Sequence, residues 1–240
     1  MKDEYYTKYL AVERDYWWFK GRRDMILRLL RRTRRDARIL DIGCSGGILM
    51  ESLAKAGFTD VAGIDVSARS IKECRRRGIR KVQVMDAARP RSLGKFDVLI
   101  ASDVLEHIKD DALALERWRT LLAPGGRLIL FVPAFNLLWS PHDDANMHHR
   151  RYTRRQLVLM LRRQGYAPLK SSYWNVALFF PMALARLLQR AFHSKGGDQL
   201  HETGAMVNAF LTGLLSVENS LIELIPMPVG VSVMVLARAL

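Results

Sequence analysis

The chain has only two cysteines, Cys44 and Cys74, with no CxxC spacing and no histidine beside them, which argues against a disulfide framework and a structural zinc site. Its N-terminus, MKDEYYTKYL, lacks the apolar stretch of a secretory signal. The longest unbroken apolar run, 176–185, is ten residues long and contains Pro181. The sequence therefore predicts no membrane span and a reducing, cytoplasmic setting. No internal repeat or low-complexity tract is present, and 49% hydrophobic residues is too many for a disordered chain. Acid is scarce where base is dense. Against a net charge of +14, residues 1–38 carry twelve Lys or Arg and six acids, and residues 150–163 carry six Arg and no acid. Such charge suits an anionic partner, whether nucleic acid, a phosphorylated substrate or an acidic membrane, or else simply a solubilising surface.

What is there is a βα alternation. At 240 residues the chain suits a single α/β domain with an elaborated cap. Apolar runs of strand length at 38–42, 60–65, 80–85, 96–101 and 127–132 alternate with helical patterns, the mark of a parallel sheet. A basic helix at about 21–35, preceded by Tyr16, Trp17, Trp18 and Phe19, makes residues 1–37 an N-terminal aromatic and basic segment. After the fifth strand come a polar stretch, a helix at 153–164 with Thr153 as its N-cap, and strands near 167–173 and 231–239. Between these last two lie apolar helices at about 175–192 and 205–225, joined by a glycine-containing polar linker, so that 174–228 reads as a helical cap inserted between strands six and seven.

The chemistry concentrates at strand ends. RILDIGCSGGILMESLAKAG, 38–57, is a strand, a glycine turn and a helix start, with Gly43 and Gly46 where a Cβ would block a ligand and Asp41 able to accept from a ligand ammonium. The turn is not GxGxxG, which disfavours a dinucleotide. Asp65 ends the strand VAGID and can accept from both hydroxyls of a ribose; Asp86 ends VQVMDA and can accept from an exocyclic amine such as that of adenine. FDVLIASDVLEHI and LLAPGGRLILFVP supply the next two strand tips. Four such tips in succession point to a ligand lying along the carboxyl edge of the sheet.

These segments resemble the motifs of class I S-adenosylmethionine-dependent methyltransferases of the broad methyltransferase-domain group, over residues 38–133. The resemblance implies a doubly wound, Rossmann-like seven-stranded sheet in order 3214576 with the last strand antiparallel, and S-adenosyl-L-methionine as cofactor. It also implies Asp41, Gly43, Cys44 and Gly46 around the methionine part, Asp65 and Val66 at ribose and adenine, Asp86 and Ala87 at the adenine edge, and Ser102 at the cofactor near the acceptor. WWFKGRR is similar to the N-terminal part of some of these enzymes, where an aromatic residue or an arginine such as Arg22 closes over the cofactor.

Methyl transfer needs chiefly in-line positioning, but a hydroxyl or ammonium acceptor must also lose a proton. His107 in LEHI is one candidate for that work. HDDANMHHRRYT offers His142, His148, His149, Arg151 and Tyr152 as better ones, with His148 and His149 expected to act on the acceptor rather than the cofactor. A metal held by His142, Asp143, Asp144 and His148 is not expected, because charged residues of a polar loop are ordinarily solvated. In the second cap helix Asn208, Thr212, Ser216, Asn219 and Glu223 form a narrow polar stripe opposite Met206, Phe210, Leu214, Leu221 and Leu224. With Arg186, Arg190 and the 150–163 arginines, that cap suits a hydrophobic or lipid-linked acceptor and an anionic membrane surface. The rival readings are an RNA methyltransferase, disfavoured by the absence of an NPPY-like turn after strand four, and a non-catalytic cofactor-binding membrane adaptor.

Overall fold

The computed structural model describes residues 10, 12–91, 93–191 and 204–240. The polar linker at 193–203, the first nine residues and the side chain of Arg190 fall outside that set. Seven strands, β1 (Arg38–Ile42), β2 (Asp60–Asp65), β3 (Val82–Val84), β4 (Phe96–Ser102), β5 (Leu122–Pro133), β6 (Tyr166–Trp174) and β7 (Ser232–Ala239), form one sheet in the order β3-β2-β1-β4-β5-β7-β6. β1 to β5 run parallel, and β7 runs antiparallel to both β5 and β6. The order and the reversed last strand are those the motif resemblance implies. β5 begins at Leu122, well before the expected 127, because the PGG turn is drawn into the ladder and Leu122 pairs with Phe96.

Alternation along the strands divides the core. Ile39, Val98, Ile100, Ile129 and Phe131 point to one face, where they bury Met25 and Ile26 of α1 (Trp17–Leu29) and Leu30 at its C-cap. Leu40, Leu99, Ala101, Leu128 and Leu130 point to the other, against α4 (Asp111–Leu121) and α6 (Arg154–Arg163). Thr153 caps α6 with a reciprocal Gln156 contact, Gln156 Oε1 accepting from the Thr153 N–H at 2.9 Å. The short helices α2 (Ile48–Lys55) and α3 (Ala68–Arg76) follow β1 and β2, and α5 (Pro141–Ala145) follows β5. α1 starts at Trp17, earlier than the basic pattern alone indicates, and stops before the arginine run 31–35. The aromatic residues that precede the basic ones thus supply its inward face.

The two helices of the 174–228 insertion part company. α7 (Phe179–Ala191) lies over the carboxyl edge of the sheet. It starts at Phe179 and not at 175 because Asn175 takes a positive φ of 62° and the Glu218 carboxylate accepts the N–H groups of Asn175, Val176 and Ala177. α8 (Ala205–Leu224) packs beside α1, burying Leu215 and Ile222. Most of its polar residues turn inward. Asn208 accepts from the Trp17 N–H at 2.7 Å, Asn219 is fully buried between Trp174, Gly21 and Asp24, and Glu223 pairs with Arg28 and Arg31. Met206, Phe210, Leu221 and Leu224 face outward, Met206 at 88% exposure. α8 is also, among the described residues, long and apolar enough to cross a membrane, and only 22% of that window is buried. The helix is amphipathic with a wide apolar face, as its residue pattern predicts, and its polar stripe together with Leu215 and Ile222 meets the protein.

Candidate functional site

The ends of β1, β2 and β4 and the turns after them open into a cavity of about 770 Å3, within the roughly 300–1,000 Å3 usual for ligand sites. The turn after β1 is shaped by glycine. Gly43 has φ +75°, and a Cβ there would lie 2.5 Å from Val104 Cγ2. At Gly46 a Cβ would come within 2.9 Å of Leu10 and 3.1 Å of Glu13 Oε2. Gly47, not singled out from the sequence, also needs its left-handed φ of +83° to start α2.

Asp65 is fixed at the tip of β2 by the N–H groups of Ser45 at 2.9 Å and Ser67 at 2.8 Å. The carboxylate so held lines the cavity. Asp86, at the β3 end, accepts the Ala88 N–H at 2.8 Å, and the Ala87 carbonyl accepts from Trp118 Nε1. Both residues line the cavity with Val66, which at 71% exposure is an apolar surface waiting at the rim. Cys44 lies buried beneath the glycine turn and does not line the cavity.

Three carboxylates surround that turn. Burial, with Glu13 and Asp65 nearby, pushes Asp41 up to about 8. Glu13, from the segment before α1, is also raised by burial, to about 7, despite the Ser45 hydroxyl it accepts at 3.2 Å. In an unfolded chain both would ionise near their ordinary values of 3.8 and 4.5. The folded protein holds these protons more tightly, so their contribution favours folding at pH 4 and is lost as pH rises through 7 and 8. The ligand-free protein should therefore melt at lower temperature at pH 8.5 than at pH 5.5 through these groups. A cationic ligand seated on them should bind more tightly as pH rises, releasing protons that calorimetry in two buffers can count. Glu13→Gln should flatten both trends.

At the other end of the cavity the polar stretch after β5 builds a network around Asp143. That carboxylate is fully buried and accepts from Arg151 Nε and Nη2 at 2.8 and 2.9 Å, His148 Nδ1 at 2.8 Å and the Ser140 N–H at 2.8 Å. His148 meets His107 edge to face at 4.6 Å between ring centroids. Burial, then the neighbouring His148, pulls His107 down to about 3 and so keeps it neutral. Arg22 enters from α1, almost fully buried. It pairs with Asp103, donates to Ser102 Oγ at 3.0 Å and Ser232 Oγ at 3.2 Å, and lies 4.8–5.2 Å from the ring centroids of Trp18, Phe131 and Trp174.

The structure thus brings Gly43, Asp65, Val66, Asp86, Ala87, Ser102, His107, His148 and Arg151 to one cavity. Asp41, Cys44, Gly46 and Arg22 stand behind its wall. His149 and Tyr152 are not at the cavity: the His149 side chain is exposed while its N–H donates to the Glu106 carbonyl, and the buried Tyr152 hydroxyl donates to Asp111 at 2.9 Å. The set His142, Asp143, Asp144 and His148 does not converge either, because Asp143 is committed to Arg151. Sequence reasoning missed Glu13, Glu106 and the hub role of Asp143. A carboxyl in LEH was a visible signal for Glu106; nothing marked Glu13.

The profile of the family described as "Methyltransferase domain" matches residues 14–171. Ubiquinone biosynthesis O-methyltransferases of Xanthomonas oryzae and Bordetella avium are 35% and 37% identical over 101 and 97 residues, 39% and 37% of this chain. The matched region covers 42% and 39% of those relatives, so the chain spans about four-tenths of their length. Two solved structures share the fold. A chain from a Haloferax volcanii complex with the Trm112 methyltransferase activator superposes with TM-score 0.65 at 14% identity, covering 99% of this chain and 95% of that one. The Synechocystis magnesium protoporphyrin IX methyltransferase with bound SAH gives 0.58 at 15% identity, covering 92% and 83%.

Proposed function

Because the chain belongs to the methyltransferase-domain family, we propose that it transfers the methyl group of S-adenosylmethionine to an oxygen of a small, lipophilic or lipid-linked acceptor at a membrane surface. One observation supports this above the others. A single cavity has carboxylates and a glycine turn at one end, paired imidazoles at the other, and Trp17, Trp18, Leu178 and Met182 along its wall.

The residues fit that cofactor. Gly43 takes the positive φ that carries the turn past Val104, Asp65 suits ribose hydroxyls at the cavity, Asp41 and Glu13 behind the turn lend it negative field for a cationic amino-acid portion, and Val66 offers an apolar surface to a base. Bound there, S-adenosylmethionine supplies an electrophilic methyl on a sulfonium. The chain's part is to line acceptor and methyl up and to exclude water, which α7 does as a roof. Asp143 engages His148 at Nδ1, so the other ring nitrogen of His148 is the one available toward the acceptor.

The names of the curated relatives favour an oxygen acceptor of lipophilic character. The outer faces of α7 and α8 favour delivery from a membrane: Phe180, Leu184 and Leu187 are each more than half exposed, as are Met206 and Phe210. The arginines of α6 sit on the opposite layer of the sheet from α8, and Arg28 and Arg31 at the α1 end are paired with Glu223 of α8.

Calorimetry with S-adenosylhomocysteine tests the cofactor half. Asp65→Ala, which removes the ribose acceptor, should weaken binding by about 10- to 100-fold, the 1.5–3 kcal/mol of hydrogen bonds to a charged group. Undiminished binding, or displacement by NADH, would sink it. Cosedimentation with vesicles tests the membrane half. Binding should be stronger to anionic than to neutral vesicles, weaken with salt, and be lost when Phe180, Leu184, Met206 and Phe210 are made polar; indifference to all vesicles removes it.

A further inference from the structure

Glu106 stands in the turn after β4 with its side chain fully buried, and among the described residues neither carboxylate oxygen meets a donor from another residue. A buried carboxyl left so costs about 1–3 kcal/mol, more if ionised, unless something pairs with it. Its neighbours are two imidazoles. Ligand atoms of Glu106, His107 and His148 all lie within 4.8 Å of one another. An ion bound at roughly 2.0–2.2 Å holds its ligand atoms up to about 4 Å apart, so a side-chain shift of about an ångström closes the set.

Both rings are already held from behind. His148 is tied through Nδ1 to the Asp143 carboxylate at 2.8 Å, and His107 bonds the backbone carbonyl of Asn146. Each imidazole therefore has one nitrogen engaged by an oxygen and one left over, which is how metal-ligating histidines are oriented and made better donors. Arg151 and Arg22 are neutralised by Asp143 and Asp103, so neither cation opposes another positive charge at this place.

We propose that Glu106, His107 and His148 form a three-ligand site for a divalent transition-metal ion at the acceptor end of the cavity. Two imidazoles and one carboxylate suit Zn2+, Mn2+ or Fe2+ rather than Ca2+ or Mg2+, which prefer all-oxygen shells. Three protein ligands leave a coordination position open, as in sites that handle substrate and unlike closed structural ones. All three residues line the cavity, so that position faces the acceptor, whose oxygen the ion would fix. The ion's use depends on the methyl-transfer reading; its binding does not.

The test is metal binding by the full-length, chelator-stripped protein, with Zn2+ and Co2+ alone as probes. Titration calorimetry should find one tight equivalent of Zn2+, and Co2+ should give the visible absorption of a low-coordinate nitrogen–oxygen site. Glu106→Gln and His148→Asn should each weaken the metal by at least the roughly 10- to 100-fold seen on losing an outer partner. Cys74→Ala should not. S-adenosylhomocysteine affinity measured on the same samples reports folding and the cofactor site separately. Metal affinity unchanged in both variants, or no stoichiometric equivalent in the parent, overturns the site while leaving the transferase reading intact. Metal bound as expected without any affinity for S-adenosylhomocysteine does the reverse.

Discussion

Replacing Asp143 by alanine is expected to destabilise the protein by about 3–5 kcal/mol, the usual cost of stripping a buried charge of its partner. The Arg151 side chain is 5% exposed and bound to Asp143 through both arms of its guanidinium; without the carboxylate it keeps, among the described residues, the Ala134 carbonyl at 3.1 Å. At about 2–4 °C per kcal/mol for a domain of this size, the melting temperature should drop by about 6–20 °C. Replacing both residues, Asp143→Ala with Arg151→Met, should restore much of the loss, because the orphaned cation goes too. Burial alone would raise the Asp143 pKa, but His148 and Arg151 more than offset it and hold the group well below its ordinary value. A depressed carboxyl contributes its stability above the unfolded value and loses it as pH falls through the folded one. The gap between parent and variant should therefore be full at pH 7 and close only in strong acid. A melt series across pH reads both the size and the sign.

Arg22→Met should cost about 2–4 kcal/mol, from charge-assisted hydrogen bonds and from a cation enclosed by three aromatic rings. The variant keeps the apolar stem, so the loss reports the guanidinium. Arg22→Lys should recover little, since a point ammonium cannot stack between Trp18, Phe131 and Trp174 while bridging Ser102, Asp103 and Ser232. Asp103 has φ +56°, a conformation a non-glycine residue holds only against its own preference, and Arg22 is the partner that holds it. Affinity for S-adenosylhomocysteine should consequently fall with the melt, because Ser102 and Asp103 both line the cavity. A destabilised variant with parental affinity would separate the cage from the site.

The sheet was legible because its signals are local. Each strand of the first half is an apolar run closed by Asp, Ser or Gly, and those tips line the carboxyl edge of the sheet. Gly43, Asp65 and Asp86 could be placed from spacing alone. Side-chain direction in irregular chain could not: nothing in HHRRY says that His148 and Arg151 turn inward while His149 turns out and Tyr152 is anchored on Asp111. Glu13 was invisible because its meaning comes from a fold-back that brings it against Gly46 from the far side of α1 and β1. The orientation of α8 was ambiguous in principle. A helical stripe fixes which residues share a face, but which face meets the protein depends on partners as distant as Trp174 and Asp24.

That orientation makes α8 unusually open to redesign. Its docking is specified by polar contacts at Asn208, Asn219 and Glu223 plus the two buried residues Leu215 and Ile222, and hardly at all by the residues that give it its greasiness. Met206, Phe210, Val217 and Leu224 can be exchanged for lysine and glutamate without touching anything that holds the helix in place. The same folding information could thus be carried by a chain whose outer α8 face is charged from end to end, so that what this face meets and what the cavity does become independently adjustable properties.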